Sequence, residues 1–113
     1  MKLSDMVDTI VVRKTPFEKA SGLMFKKNIK HTNTAYLFSF DQEKKIPIHM
    51  LFVFFSIDVL WLNKDFEVID LKKNVAPFMP HIGHKGKAQY LVELPQGTIA
   101  KQGISLMDVV KVS

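Results

Sequence analysis

The chain contains no cysteine, which removes disulfides, zinc-thiolate sites, iron–sulfur clusters and cysteine nucleophiles from the chemistry it can carry by itself. Arginine is almost as scarce. Of the 16 basic residues only Arg13 is an arginine, and because planar, bidentate reading of phosphate or guanine favours arginine, specific nucleic-acid recognition is disfavoured. No internal repeat or low-complexity segment is present, and no motif asks for a cofactor. The first residues carry acids at Asp5 and Asp8 where a secretory signal needs an apolar core, so the expected location is cytoplasmic. The longest apolar run, Ile46 to Leu62, is interrupted by Pro47, His49, Ser56 and Asp58. It falls short of the roughly 20 predominantly apolar residues of a bilayer span and reads as buried strand.

What is present fits one globular domain over residues 1–113. The chain of 113 residues is 47% apolar and 24% charged, enough to build one core and too little for two. The net charge is +5, and it is unevenly placed. Lys19 to Phe40 and Leu71 to Val92 contain no acid, and each carries four lysines plus histidine. If these segments meet, they form a basic face that attracts anions; if not, they are a solvated lysine-rich surface.

Most of the pattern is short strands punctuated by turns. Thr9 to Lys14 is rich in β-branched residues and predicts a strand. Thr15-Pro16-Phe17-Glu18 is a capping box for a short helix that Gly22 ends. Ala35 to Phe40 predicts a second strand, with Asp41 to Lys45 as a polar turn. The run Ile46 to Leu62 is too long for one ordinary strand and predicts two, bending near Phe55 and Ser56. Asn63-Lys64-Asp65 turns this run into Phe66 to Leu71 as a hairpin. Val75 to Gly86, with two prolines and two glycines, is a loop. Ala88 to Leu94 is a strand, Thr98 to Gln102 a helical turn stopped by Gly103, and Val109 to Val112 a last strand. Six or more strands with one or two short helices imply a mainly β fold, a compact sandwich or barrel-like domain.

Several residues are candidates for chemistry. Asp58 sits inside the apolar run, where a buried carboxylate is costly unless paired or hydrogen-bonded. On a strand it shares a face with Ser56, Leu60 and Leu62. It is either a carboxylate at the edge of a cleft, its pKa raised by desolvation, or a structural acceptor of backbone N–H groups. His81 and His84 lie three apart in the loop, but a metal would need Asp58 or His49 to converge with them, and no metal site is assigned. Phe78 and Met79 in the same loop, with Tyr90 and Trp61, either grip a ligand or tuck under the loop. Gly83-His84-Lys85-Gly86 has some likeness to an anion-binding turn but lacks the strand and helix of a phosphate loop.

Three separated motifs bear on ancestry: Gly22-Leu23-Met24-Phe25-Lys26; Phe55-Ser56-Ile57-Asp58-Val59 followed by Asn63-Lys64-Asp65; and Leu91-Val92-Glu93-Leu94-Pro95-Gln96-Gly97. In order and spacing they resemble domain of unknown function 192, also called UPF0127, over about residues 9–112. The resemblance implies a small, mainly β fold of the sandwich type with no established biochemical activity. This chain departs from the family where His49-Met50 replaces Trp-Met, Ser56 replaces proline and Met107-Asp108 replaces Gly-Asp. An aromatic pocket at the first of these positions would be more polar here.

The functional expectation is a small ligand-binding or interaction module, its site bordered by Asp58, Phe78, Met79, His84, Lys85 and Lys87. Its partner would be an unknown small polar or anionic ligand, or a protein. One alternative is a hydrolase using Asp58 with His49 or His84 as acid and base, which leaves the enzyme question open. Another is non-specific nucleic-acid binding through the lysines.

Overall fold

The computed structural model describes residues 1–14 and 28–113. The capping box at Thr15 to Glu18, the helix end at Gly22 and the Gly22 to Lys26 motif lie outside the described residues. So do Lys19, Lys26 and Lys27 of the first acid-free segment.

Five strands form one sheet: β1 (Thr9–Arg13), β2 (Thr34–Lys44), β3 (Ile57–Leu62), β4 (Val68–Val75) and β5 (Ala88–Pro95), in the order β1-β2-β5-β3-β4. β1 runs parallel to β2, and every other neighbouring pair is antiparallel. Two short helices, α1 (Ile29–Thr32) and α2 (Thr98–Gln102), accompany the sheet. The expected mainly β class is therefore what the protein has, and of the two α-helices among the described residues α2 is the expected one. All five strands lie in a single sheet, and loops and chain ends take the place a second sheet would occupy.

Both faces of the sheet are buried, which explains why β3 reads as a continuous apolar run and not as an alternation. On the first face Ile57, Val59 and Trp61 pack with Tyr36, Phe38 and Leu91, covered by Ile46, Met50, Val53, Phe55 and Ile82 from loops and by Ile29 of α1. On the second face Leu60 and Leu62 pack with Leu37, Val92 and Leu94 under Leu3, Val7, Ile99, Ile104 and Val110.

Three expectations about elements need correction. β2 does not end at Phe40: it continues through Asp41 to Lys44, because the ladder with β5 resumes at Lys44 and Ala88 after an irregularity beyond Ser39 and Tyr90. The run Ile46 to Leu62 supplies one strand, not two. Its first part is a loop tied to the sheet's first face by apolar side chains and bridged only at Ile48 to Ile82. Val109 to Val112 is no strand either; it makes single bridges, Val109 to Glu67 and Lys111 to Lys2. Polar alternation decided none of these, since each depends on which distant backbone is available to pair with.

The hairpin and the last helix fall where the local chemistry puts them. Asn63 Oδ1 accepts from the N–H groups of Asp65 and Glu67, both at 2.9 Å, closing the β3–β4 turn. α2 ends at Gly103, whose φ of 65° is left-handed backbone that glycine adopts at no steric cost. α1, not anticipated, is capped by Asn28 Oδ1 accepting from Lys30 N at 2.9 Å and stopped by left-handed Asn33.

Candidate functional site

Asp58 belongs to the second face. It is fully buried, and its carboxylate accepts three backbone N–H groups: Asn74 at 3.1 Å through Oδ1, and Gly97 at 3.1 Å and Ile99 at 2.9 Å through Oδ2. α2 starts at Gly97, which has no side chain to cap it, so Asp58 caps the helix from a neighbouring strand. The same carboxylate holds Asn74, itself in the left-handed region at φ 53°. One acid thus clamps the end of β4 to the start of α2.

The histidines lie elsewhere. His84 packs on Trp61 of the first face, ring centroids 4.9 Å apart. Its Nε2 accepts from Ile46 N at 2.8 Å, and its Nδ1 lies 3.0 Å from Lys85 O, so the bonded tautomer is neutral with the proton on Nδ1. Trp61 Nε1 donates to Ile46 O at 2.9 Å, and Lys45 Nζ donates to His84 O at 3.0 Å. His84 is therefore a pin between the two loops that cover the first face. His49 is exposed, its Nδ1 accepting from Leu51 N, and His81 is exposed. Asp58 and these loops are on opposite sides of the sheet, so the structure does not bring Asp58 together with His49 or His84. Among the described residues no three His, Asp or Glu side chains converge as metal ligands would.

The other sequence candidates do gather. Phe78 and Met79 are exposed at the tip of the loop between β4 and β5, beside Leu51, Phe52 and Phe54 of the preceding long loop. Phe54 and Phe78 meet edge to face at 5.3 Å. Lys85 and Lys87 are exposed at the base of the same loop, where Lys85 N donates to Asp70 Oδ2.

A different acid stands out once the faces are known. Glu93 pairs with Tyr36 of β2 and Val59 of β3, so it projects into the first face beside Leu91. It is only 6% exposed. Burial pushes its carboxyl up to about 8. On the same face, two strands away, Arg13 lies over the Tyr36 ring at 5.4 Å, with its buried Nε lacking a hydrogen-bond partner. Arg13, Tyr36 and Glu93 form a strip across β1, β2 and β5. Sequence reading passed over Glu93, although the same signal that singled out Asp58, an acid within Leu91-Val92-Glu93-Leu94, was there.

One recess, of about 380 Å³, lies on the other side near α2, lined by Lys30, Asn33, Gln96, Thr98 and Lys101. Arg13 Nε, the buried polar atom without a hydrogen-bond partner among the described residues, is not in its lining. Among the described residues no helix is long and apolar enough to cross a membrane.

Comparison with known proteins agrees with this architecture. The model of the family described as DUF192, "Uncharacterized ACR", matches residues 2–112. A UPF0127 protein of Thermococcus sibiricus is 36% identical over 92 residues, 80% of this chain and 56% of its own length. One of Thermococcus kodakarensis is 33% identical over 87 residues, 75% of this chain and 52% of its own. The chain thus spans about half the length of these relatives. A crystal structure from Sinorhizobium meliloti superposes with a TM-score of 0.82 at 22% identity, covering 88% of this chain and 78% of that one. Another, of a Novosphingobium aromaticivorans protein of unknown function, gives 0.78 at 20% identity over 88% and 71%. At those identities the likeness is one of fold. The motifs, the matched family and the archaeal relatives agree, and the chain belongs to the DUF192, or UPF0127, family.

Proposed function

We propose that the protein is a small-molecule binding module whose ligand engages the strip Arg13–Tyr36–Glu93 on the first face of the sheet. The observation that carries this reading is Glu93, a nearly completely buried acid whose carboxyl is pushed up to about 8 by desolvation, on the same face as the partnerless Arg13 Nε. Withdrawing a carboxyl from water is costly against a net stability of roughly 5–15 kcal/mol. An apolar residue at position 93 would remove that cost, so the carboxyl serves something other than stability. Arg13 Nε makes the same point with the opposite chemistry: a donor without an acceptor.

The two groups stand two strands apart, about 10 Å at the usual strand spacing. A ligand that answers both carries an amine or hydroxyl for Glu93 and a carboxylate, carbonyl or phosphate oxygen for Arg13. The Tyr36 ring lies between them. Small amphoteric molecules of amino-acid size have this chemistry, and the reading keeps the protein in the cytoplasm. A hydrolase built on Asp58 and a histidine is less well supported, because the sheet stands between them. Lysine-led nucleic-acid binding has no aromatic platform in its favour apart from the exposed loop tip.

Thermal-shift titration with free amino acids, amines and small carboxylates tests the proposal. The expected result is a rise in midpoint for an amphoteric ligand, lost in both Glu93→Gln and Arg13→Gln. Undiminished shifts in both variants would place the ligand elsewhere, and a flat response of the wild type to the whole panel would end the small-molecule reading.

A further inference from the structure

A second surface, independent of the strip, lies at the tip of the paired loops. Leu51, Phe52, Phe54, Phe78 and Met79 are each between 41% and 60% exposed, whereas scattered single apolar residues are the norm on a soluble surface. Two of the phenylalanines are held in left-handed backbone, Phe52 at φ 58° and Phe78 at φ 66°, a conformation that costs a non-glycine residue free energy.

Part of the backbone of this tip is bonded internally. Met50 N donates to Met79 O, Phe78 N and Val53 N to Met50 O, and Leu51 N to His49 Nδ1. Apolar side chains carried on an internally bonded backbone are what a hydrocarbon layer accepts. Behind the tip, the stretches 44–57 and 71–92 that build it contain no acid. They carry Lys44, Lys45, Lys72, Lys85 and Lys87, all exposed, while Lys73 projects from the opposite face of β4. Lys45 is anchored at the loop base through His84 O. The acid at that base is Asp70, whose carboxylate is taken up by the N–H groups of Leu71 and Lys85.

We propose that this tip docks the protein on an anionic lipid surface, the phenylalanines entering the headgroup boundary and the lysines meeting lipid phosphates and carboxylates. Charge selects this occupant over a second copy of the chain, since pairing two tips brings lysine clusters together. Composition selects it over a specific protein partner, because the tip offers Phe, Leu and Met and lacks the Tyr, Trp and Arg that dominate protein hot spots. Peripheral attachment of this kind combines apolar insertion with attraction of basic side chains to anionic lipid.

Co-sedimentation with vesicles tests it, using phosphatidylcholine alone and phosphatidylcholine mixed with phosphatidylserine. The full chain is expected to pellet with the mixed vesicles at low salt and far less with phosphatidylcholine. Each lysine near the surface contributes about fivefold in affinity, so Lys72→Glu with Lys85→Glu should weaken binding more than tenfold. Phe54→Ser with Phe78→Ser should weaken it comparably; the lost edge-to-face contact lowers the thermal midpoint, while the circular dichroism should remain that of the folded sheet. No pelleting with mixed vesicles at low salt overturns the proposal. So does binding that ignores the phenylalanine substitutions, which would make the contact a lysine effect that any polyanion could produce. Loss of vesicle binding in the tip variants with an unchanged response to small ligands would separate this surface from the strip at Glu93.

Discussion

Asp58 and Glu93 are two acids in two apolar runs, yet the sheet gives them opposite fates. Asp58 meets three backbone N–H groups, and hydrogen bonds to a charged acceptor are worth about 1.5–3 kcal/mol each. Asp58→Asn keeps an oxygen for Gly97 and Ile99 but turns an amide toward the N–H of Asn74. We expect a loss of about 2 kcal/mol, read as a clear fall in the urea midpoint, and a larger one for Asp58→Ala. Unchanged stability in Asp58→Ala would mean that α2 holds without its cap. Glu93 gives the reverse expectation. Its carboxyl titrates near 4.5 ordinarily and near 8 in the folded chain, so the folded state holds the proton more tightly. Its contribution is most favourable below pH 4.5, declines as pH rises toward 8, and is fully lost above that. At 1.36 kcal/mol per pH unit the difference reaches roughly 5 kcal/mol. Glu93→Gln should therefore stabilise the protein progressively more from pH 5 to 8 and then level off. A constant difference across that range, measured by denaturant unfolding, would show that the Glu93 carboxyl is not what titrates.

At the scale of elements, the long loop between β2 and β3 has no ladder to hold it. It is fixed by its apolar side chains and by the group of Ile46, Trp61 and His84. His84→Ala removes the acceptor for Ile46 N and the ring stacked on Trp61, a loss of about 1–3 kcal/mol. Because the loss is concentrated in one loop, amide exchange of residues 46–56 should accelerate much more than that of β3 or β5. Equal acceleration everywhere would mean that the loop and sheet open together. Element-level features legible from local chemistry were the Asn63 turn, the Gly103 stop and the strands at Thr9 and Ala88. The extension of β2 to Lys44 was not legible, since Asp41-Gln42-Glu43-Lys44 reads as a polar turn until a distant strand is there to pair with it.

For the whole molecule, a sheet buried on both faces and sharing its central strands β5 and β3 between two apolar clusters should unfold as one unit. Trp61 fluorescence reports the first face, and far-ultraviolet circular dichroism reports the whole sheet. We expect their thermal transitions to coincide, as for a single domain; two separated midpoints would divide the chain. The chain ends join the same unit, with Leu3 N donating to Lys111 O at 2.7 Å and Val110 N to Phe66 O at 2.9 Å. These long-range bonds explain why Val109 to Val112, read locally as a strand, is instead a strap across the bottom of the second face.

Composition and pattern by themselves determined the mainly β class, the absence of thiol chemistry, the hairpin at Asn63 and the loop carrying Phe78 and Met79. They also marked Asp58 as a buried acid that needs a partner, because an ionised carboxylate in an apolar run has few other ways to exist. Only the tertiary structure decided which partner it finds. Side-chain alternation tells which residues share a face but not what covers that face, and the cover distinguishes Asp58, clamped by three N–H groups, from Glu93, whose carboxyl burial pushes up to about 8. The same holds for the exposed phenylalanines: an aromatic residue in a loop packs inward or points outward according to a backbone angle and to neighbours far away in the chain.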